Sequence, residues 1–95
     1  MMEILRDDNG KKGQFTATIN GEQAGLMTYT WAGDNRFIID HTEANPAFSG
    51  QGVGKGLVMA AVDFARENQF KILPLCPYAK TVFERNADIR DVLFR

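Results

Sequence analysis

Ser49-Gly50-Gln51-Gly52-Val53-Gly54-Lys55-Gly56 is the stretch that decides how this chain folds. Its four alternating glycines permit tight backbone geometry and close approach of a ligand, and it opens directly into a helical pattern. Over residues 54–68 the apolar side chains Leu57, Val58, Ala61, Val62 and Ala65 recur at three- and four-residue spacings, with Lys55, Asp63, Arg66 and Glu67 left for the outer face. One helix of that length spans roughly 22 Å. Its first amides lack intrahelical acceptors, and the helix dipole favours an anion beside them. Phosphate oxygens suit that place, and Lys55 would add charge at its rim. The alternative is that the glycines only permit a turn and helix–sheet packing.

Two nucleotide motifs fail against the same stretch. A P-loop needs a Gly-Lys-Ser/Thr ending, whereas Lys55 is followed by Gly56 and Leu57. The dinucleotide fingerprint fails because Lys55 occupies its third glycine position, and Gly52-x-Gly54-x-Gly56 has the wrong spacing. Neither ATP nor NAD is favoured.

Upstream, the pattern is extended. Phe15, Ala17 and Ile19 share one side of a strand, with Thr16 and Thr18 on the other. Asn20-Gly21 is a hairpin signal, residues 23–31 form a second run, and residues 36–42 a third after the turn Ala32-Gly33-Asp34-Asn35. Asp7-Asp8-Asn9-Gly10-Lys11-Lys12-Gly13 reads as a polar turn. Downstream, residues 70–75 form a short apolar strand whose place after a helix suits a parallel neighbour of the third strand. Pro77 can open a short helix burying Ala79, Val82 and Phe83 and ending near Asn86, and a last helical turn brings Ile89, Val92 and Leu93 inward. The expected order is β-β-β-α-β-α-α, an α/β (α+β) fold with a compact mixed sheet, an antiparallel N-terminal meander and short C-terminal helices. Trp31, Tyr29, Phe37 and Phe48 are read as core aromatics.

Ninety-five residues suit one domain, spanning 1–95. With 11 basic against 12 acidic side chains, the net charge of -1 argues against a protein that coats nucleic acid or an anionic membrane. Cys76 is the single cysteine and His41 the single histidine, so neither an intrachain disulfide nor a structural zinc cluster is expected, and no metal is assigned. Met1 and Met2 are followed by Glu3, Arg6, Asp7 and Asp8, which lack the basic-then-apolar pattern of an export signal, so none is expected, and no run reaches membrane-span length. The expected compartment is the cytoplasm. Open sheet edges make a monomer or a weak homodimer the expected state.

Ile39-Asp40-His41-Thr42-Glu43, Gly50-Gln51-Gly52-Val53-Gly54-Lys55-Gly56-Leu57, Ala65-Arg66-Glu67-Asn68 and Pro74-Leu75-Cys76-Pro77-Tyr78-Ala79-Lys80 occur in this order within the chain. Together they resemble the GNAT acyltransferase superfamily, in particular its small single-domain branch of N-acetyltransferases. The family's acyl-CoA loop, Gln/Arg-x-x-Gly-x-Gly/Ala, matches Gly52 and Gly54, with Ser49 at the leading polar position. A second register, Gln51-x-x-Gly54-x-Gly56, also fits. The resemblance implies acetyl-CoA as cosubstrate, held by Ser49, Gly50, Gln51, Gly52, Val53, Gly54, Lys55 and Gly56, with the pyrophosphate at the helix start. It implies further that the pantetheine arm runs between strands matching residues 37–43 and 72–76, which places the thioester near Cys76. Lys11, Lys12, Lys55, Lys71 and Lys80 are the lysines available to a ribose-phosphate rim.

Four residues are candidates for the chemistry. Histidine is the side-chain type suited to proton transfer near neutrality, which brings in His41; Glu43 competes with it as base or amine-orienting group. Cys76 could accept an acyl group or shape the thioester pocket, and Tyr78 could donate to the leaving sulfur. Where larger superfamily members carry a leaving-group tyrosine, this chain has Phe83, which has no proton to give. The implied activity is acetyl transfer from acetyl-CoA to a small amine or a lysine amine, by direct attack rather than through acetyl-Cys76. A noncatalytic CoA-binding or protein-interaction module is the alternative; a thiol-redox role would need a second thiol.

Overall fold

The structure is a computed structural model that describes residues 2–94; the expected domain bounds include Met1 and Arg95, which lie outside the described residues. Four strands, β1 (Met2–Asp8), β2 (Lys12–Ile19), β3 (Glu22–Trp31) and β4 (Arg36–Ala44), form an antiparallel meander. A 3-10 turn at Pro46–Phe48 leads to helix α1 (Val53–Asn68). Strand β5 (Lys71–Pro74) then joins β4 in parallel, giving the mixed order β1-β2-β3-β4-β5. Helix α2 (Pro77–Arg85) and a 3-10 segment at Ala87–Val92 follow.

The local reasons are those of the sequence. At the β2–β3 hairpin Asn20 and Gly21 both take positive φ, 52° and 82°, as a two-residue primed turn requires. α1 buries Val53, Leu57, Val58, Ala61, Val62 and Ala65 against one sheet face. Each fully buried valine or leucine there contributes about 1.5–3 kcal/mol. Phe15, Met27, Tyr29, Phe37, Ile39 and Ile72 supply the sheet side of this core.

Three expectations are corrected. Residues 2–8 form a fifth strand, which the order β-β-β-α-β-α-α omits; Met2 and Ile4 pack against the core and β1 pairs with β2 along its whole length. The polar turn is correspondingly shorter, because Asn9 Oδ1 accepts the amides of both Lys11 and Lys12 and closes it immediately after β1. The final helical turn is 3-10, and beyond it Leu93 lies parallel to Ile72 while the Phe94 amide donates to the Ile72 carbonyl.

The far end of β4 is where the sheet opens. β4 and β5 pair from Arg36↔Lys71 to Ile39↔Pro74, after which the amides of both Leu75 and Cys76 converge on the single carbonyl of Ile39. β5 stops, while β4 continues to Ala44 with β3 as its only strand partner. At the same place the β3–β4 register jumps from Tyr29↔Ile39 to Thr28↔His41, so Asp40 is one extra residue in β4.

Candidate active site

The loop before α1 is held by its own backbone: the Ser49 and Gln51 amides donate to the carbonyls of Pro46 and Phe48. Gly50 and Gly52 adopt φ of 81° and 72°, which a side-chain-bearing residue takes only with strain, and a Cβ at either would meet nothing within 4 Å. The loop therefore bends back under an open surface. Gly52 is the N-cap of α1 and brings no capping side chain, so the amides of Val53, Gly54 and Lys55 begin the helix uncapped. The next amide, that of Gly56, is already bonded to the Gly52 carbonyl.

Close contacts anchor this helix start beside β4. Gly25 of β3 faces Val53; a Cβ on Gly25 would lie 2.8 Å from Val53 Cγ1 and 2.6 Å from the Glu43 carbonyl oxygen. Gly56 faces β1, since a Cβ there would come up against Met2 Cε. Of the cradle glycines, Gly56 thus serves helix–sheet packing, while Gly50 and Gly52 line the open surface.

A second helix start faces the first. Cys76 is the N-cap of α2 and is buried, with 6% exposure. Its thiol donates to Thr42 Oγ1 at 3.5 Å, across the gap where β4 and β5 part. Burial pushes the Cys76 thiol up, but the amide of Ala79, the Thr42 hydroxyl and the amide of Tyr78 stabilise the thiolate more, and the net displacement is below the ordinary thiol value. Tyr78, the second residue of α2, is 43% exposed and lies against Gly54: a Cβ there would be 2.8 Å from both Cζ and the hydroxyl oxygen of the tyrosine.

His41 and Glu43 lie on the other face of β4. The Asp40 bulge and the register put Thr42 opposite buried Met27, on the helix-covered side, and put His41 opposite Thr28 and Glu43 opposite Leu26. His41 Nε2 and Glu43 Oε1 are 3.3 Å apart, with both side chains more than half exposed. The candidate residues therefore form two groups on either side of one strand: the helix starts with Cys76 and Tyr78, and the pair His41–Glu43. Thr42 and Asp40, quoted in the sequence only as part of a motif, and Gly25 were given no role there; the alternation His41, Thr42, Glu43 carries a signal for Thr42, while a bulge has none.

The lysine rim is also revised. Lys11 and Lys12 sit at the β1–β2 turn, paired with the Thr30 end of β3, and Lys71 opens β5 and donates to the Asp91 carbonyl, all at the opposite end of the sheet. Lys55 in α1 and Lys80 in α2 remain at the end that carries the loop. Phe83 is buried in α2, at 2% exposure. No helix among the described residues is long and apolar enough to cross a membrane.

Comparison with known proteins adds to this geometry. A family model described as GCN5-related N-acetyl-transferase matches residues 14–92. Protein NATD1 of Xenopus tropicalis is 32% identical over 84 residues, covering 87% of this chain and 77% of the relative. A solution structure of a GCN5-like protein from Staphylococcus aureus is 34% identical with a TM-score of 0.70, covering 97% of this chain and 87% of that one. A GNAT family acetyltransferase from Elizabethkingia anophelis, crystallised with acetyl-CoA bound, shares the fold with a TM-score of 0.66 at 14% identity; this chain covers 63% of it, less than two thirds, and the match takes in 77% of this chain.

Proposed function

This chain belongs to the GCN5-related N-acetyltransferase family, and on that premise we propose that it binds acetyl-CoA at the start of α1 and transfers the acetyl group to a small amine or a lysine amine. The observation that carries the reading is that the uncapped α1 start, the α2 start and the point where β4 and β5 part lie together, with Tyr78 resting on Gly54 and the Cys76 thiol meeting Thr42 Oγ1. The Elizabethkingia acetyltransferase of the same fold binds acetyl-CoA.

The residues present fit such a ligand. Gly50 and Gly52 open the loop surface, and the amides of Val53, Gly54 and Lys55, with the positive end of the helix dipole, are matched to phosphate oxygens. Ser49, Gln51 and Gly56 shape the loop, their amides being engaged within it. The bound cosubstrate supplies an activated thioester. In this reading the α2 amides and Thr42, which stabilise negative charge on Cys76, also receive the departing thiolate on the helix-covered side. On the open side, His41 or Glu43 takes the proton from the attacking amine, directly or through one water, as the nitrogen–carbon bond forms and the carbon–sulfur bond breaks. Direct transfer needs no reaction at buried Cys76. We propose further that the chain acts as one domain over residues 1–95, in the cytoplasm, where a free thiol persists, as a monomer or weak homodimer.

One observation favours the noncatalytic alternative: Phe83, buried in α2, leaves that helix position without a proton donor. Incubation with acetyl-CoA and a panel of polyamines, small primary amines and lysine peptides decides between the two. Acetylated product with equal release of free CoA supports transfer. CoA binding without product from any amine would leave a binding module.

A further inference from the structure

Tyr78 joins the two helix starts. Its backbone is two residues from Cys76, and its ring rests on Gly54, the second residue of α1. On a helix the Cα–Cβ direction tilts toward the N-terminus, so a ring lying where a Gly54 Cβ would be lies over the amide-bearing end of α1. Any extended chain that runs from phosphates at those amides to a sulfur near Cys76 must cross the span that this phenol bridges.

We propose that Tyr78 is a gate on the cosubstrate passage: the ring seated on Gly54 and the pantetheine-phosphate arm exclude each other, and binding requires the ring to swing outward. The inference rests on the acetyl-CoA reading above. Two features suit the role. The ring is 43% exposed, so moving it removes few core contacts, and Gly54 offers it a seat that any larger residue would deny. A gate that is mostly closed lowers the apparent affinity by the fraction of molecules that are open. The seat also explains glycine at position 54 independently of ligand approach.

The test uses coenzyme A itself as the probe, with affinity measured by calorimetry and association by stopped flow, on the wild type, Tyr78→Ala and Tyr78→Phe. The gate predicts that Tyr78→Ala binds about threefold or more tighter with a faster association rate, and that Tyr78→Phe stays closer to wild type than Tyr78→Ala because the ring carbons, which lie on Gly54 about as closely as the hydroxyl oxygen, remain. Amide spectra without coenzyme A provide the folding control: the Gly54 resonances should move in Tyr78→Ala and the core resonances should not. Wild-type binding with equal or weaker binding by a folded Tyr78→Ala would overturn the gate and leave the acetyl-CoA reading standing. Binding by Tyr78→Ala alone would support the gate in its strongest form. Binding by neither protein would overturn the acetyl-CoA reading, and the gate with it.

Discussion

The thiol of Cys76 and the hydroxyl of Thr42 meet at 3.5 Å across the point where β4 and β5 separate. That contact ties the α2 start to β4, and the amides of Ala79 and Tyr78 complete the surroundings of the sulfur. Thr42→Val removes a stabiliser of the thiolate while keeping the side chain's shape. The expected result is an upward move of the pH midpoint for alkylation by iodoacetamide, with the fold retained. An unchanged midpoint would show that the hydroxyl does not act on the sulfur.

Direct transfer and a Cys76 relay differ in what Cys76→Ala does. Under direct transfer the variant retains acetyl transfer to within about tenfold, because what it loses is packing rather than a reacting atom, and intact mass spectrometry of the wild type detects no acetyl adduct on Cys76. His41→Ala and Glu43→Gln, by contrast, should lower kcat, by about a hundredfold or more for whichever residue is the base, with CoA affinity unchanged. Loss of turnover in Cys76→Ala together with an acetylated wild-type thiol would reverse the assignment.

Gly52 and Gly56 separate the two loop registers. Gly52→Ala places a side chain at φ 72°, a cost of about 1–2 kcal/mol, and should weaken CoA binding along with stability. Gly56→Ala meets the flexible end of Met2 instead. Displacing that end is offset by alanine's helix preference of about 1 kcal/mol over glycine, so thermal unfolding and CoA affinity should both change little. A binding defect confined to Gly56→Ala would favour the register from Gln51.

Asp8 fastens the end of the sheet distant from the site. Its Oδ2 accepts from the Tyr29 hydroxyl at 2.6 Å and from Trp31 Nε1 at 2.7 Å. Partial burial raises the Asp8 carboxyl, but these bonds, the Gly10 amide and the Arg6 charge lower it further, to a net value below the ordinary one. A depressed carboxyl stabilises the fold above its unfolded value of about 3.9, and this stability is lost as the pH falls through the folded value. Tyr29 is pushed up to about 12, by burial first and the Asp8 bond second. Its contribution is complete below the unfolded value of about 10 and is lost as the pH rises through about 12. Asp8→Asn should cost about 1.5–3 kcal/mol at neutral pH, flatten the acid limb of a stability profile and lower the Tyr29 midpoint in an absorbance titration. An unchanged profile would remove Asp8 from the account.

Legibility in the sequence followed the range of the interaction. The hairpin at Asn20-Gly21 and the helix from Leu57 to Ala65 rest on neighbours a few residues apart, and both stand where local pattern puts them. β1 was hidden because its alternation breaks after Ile4: Leu5 faces out at 63% exposure, whereas Arg6 shares the side of Ile4 and lays its guanidinium 4.1 Å over the Phe64 ring. The cradle glycines were legible as a loop before a helix. That Gly54 seats Tyr78 and Gly56 faces Met2 depends on elements brought together by the sheet. The bulge at Asp40 has no composition of its own, yet it decides that His41 and Glu43 lie on the face opposite Cys76.

The most direct test of the central claim is a backbone-amide NMR titration of the labelled protein with acetyl-CoA. The account predicts saturable shifts centred on Gly50 and on Gly52 to Lys55, extending through Tyr78 to Cys76, with the Asp8 end of the sheet unmoved. The absence of any shift at millimolar acetyl-CoA, or shifts confined to residues away from the two helix starts, would contradict it.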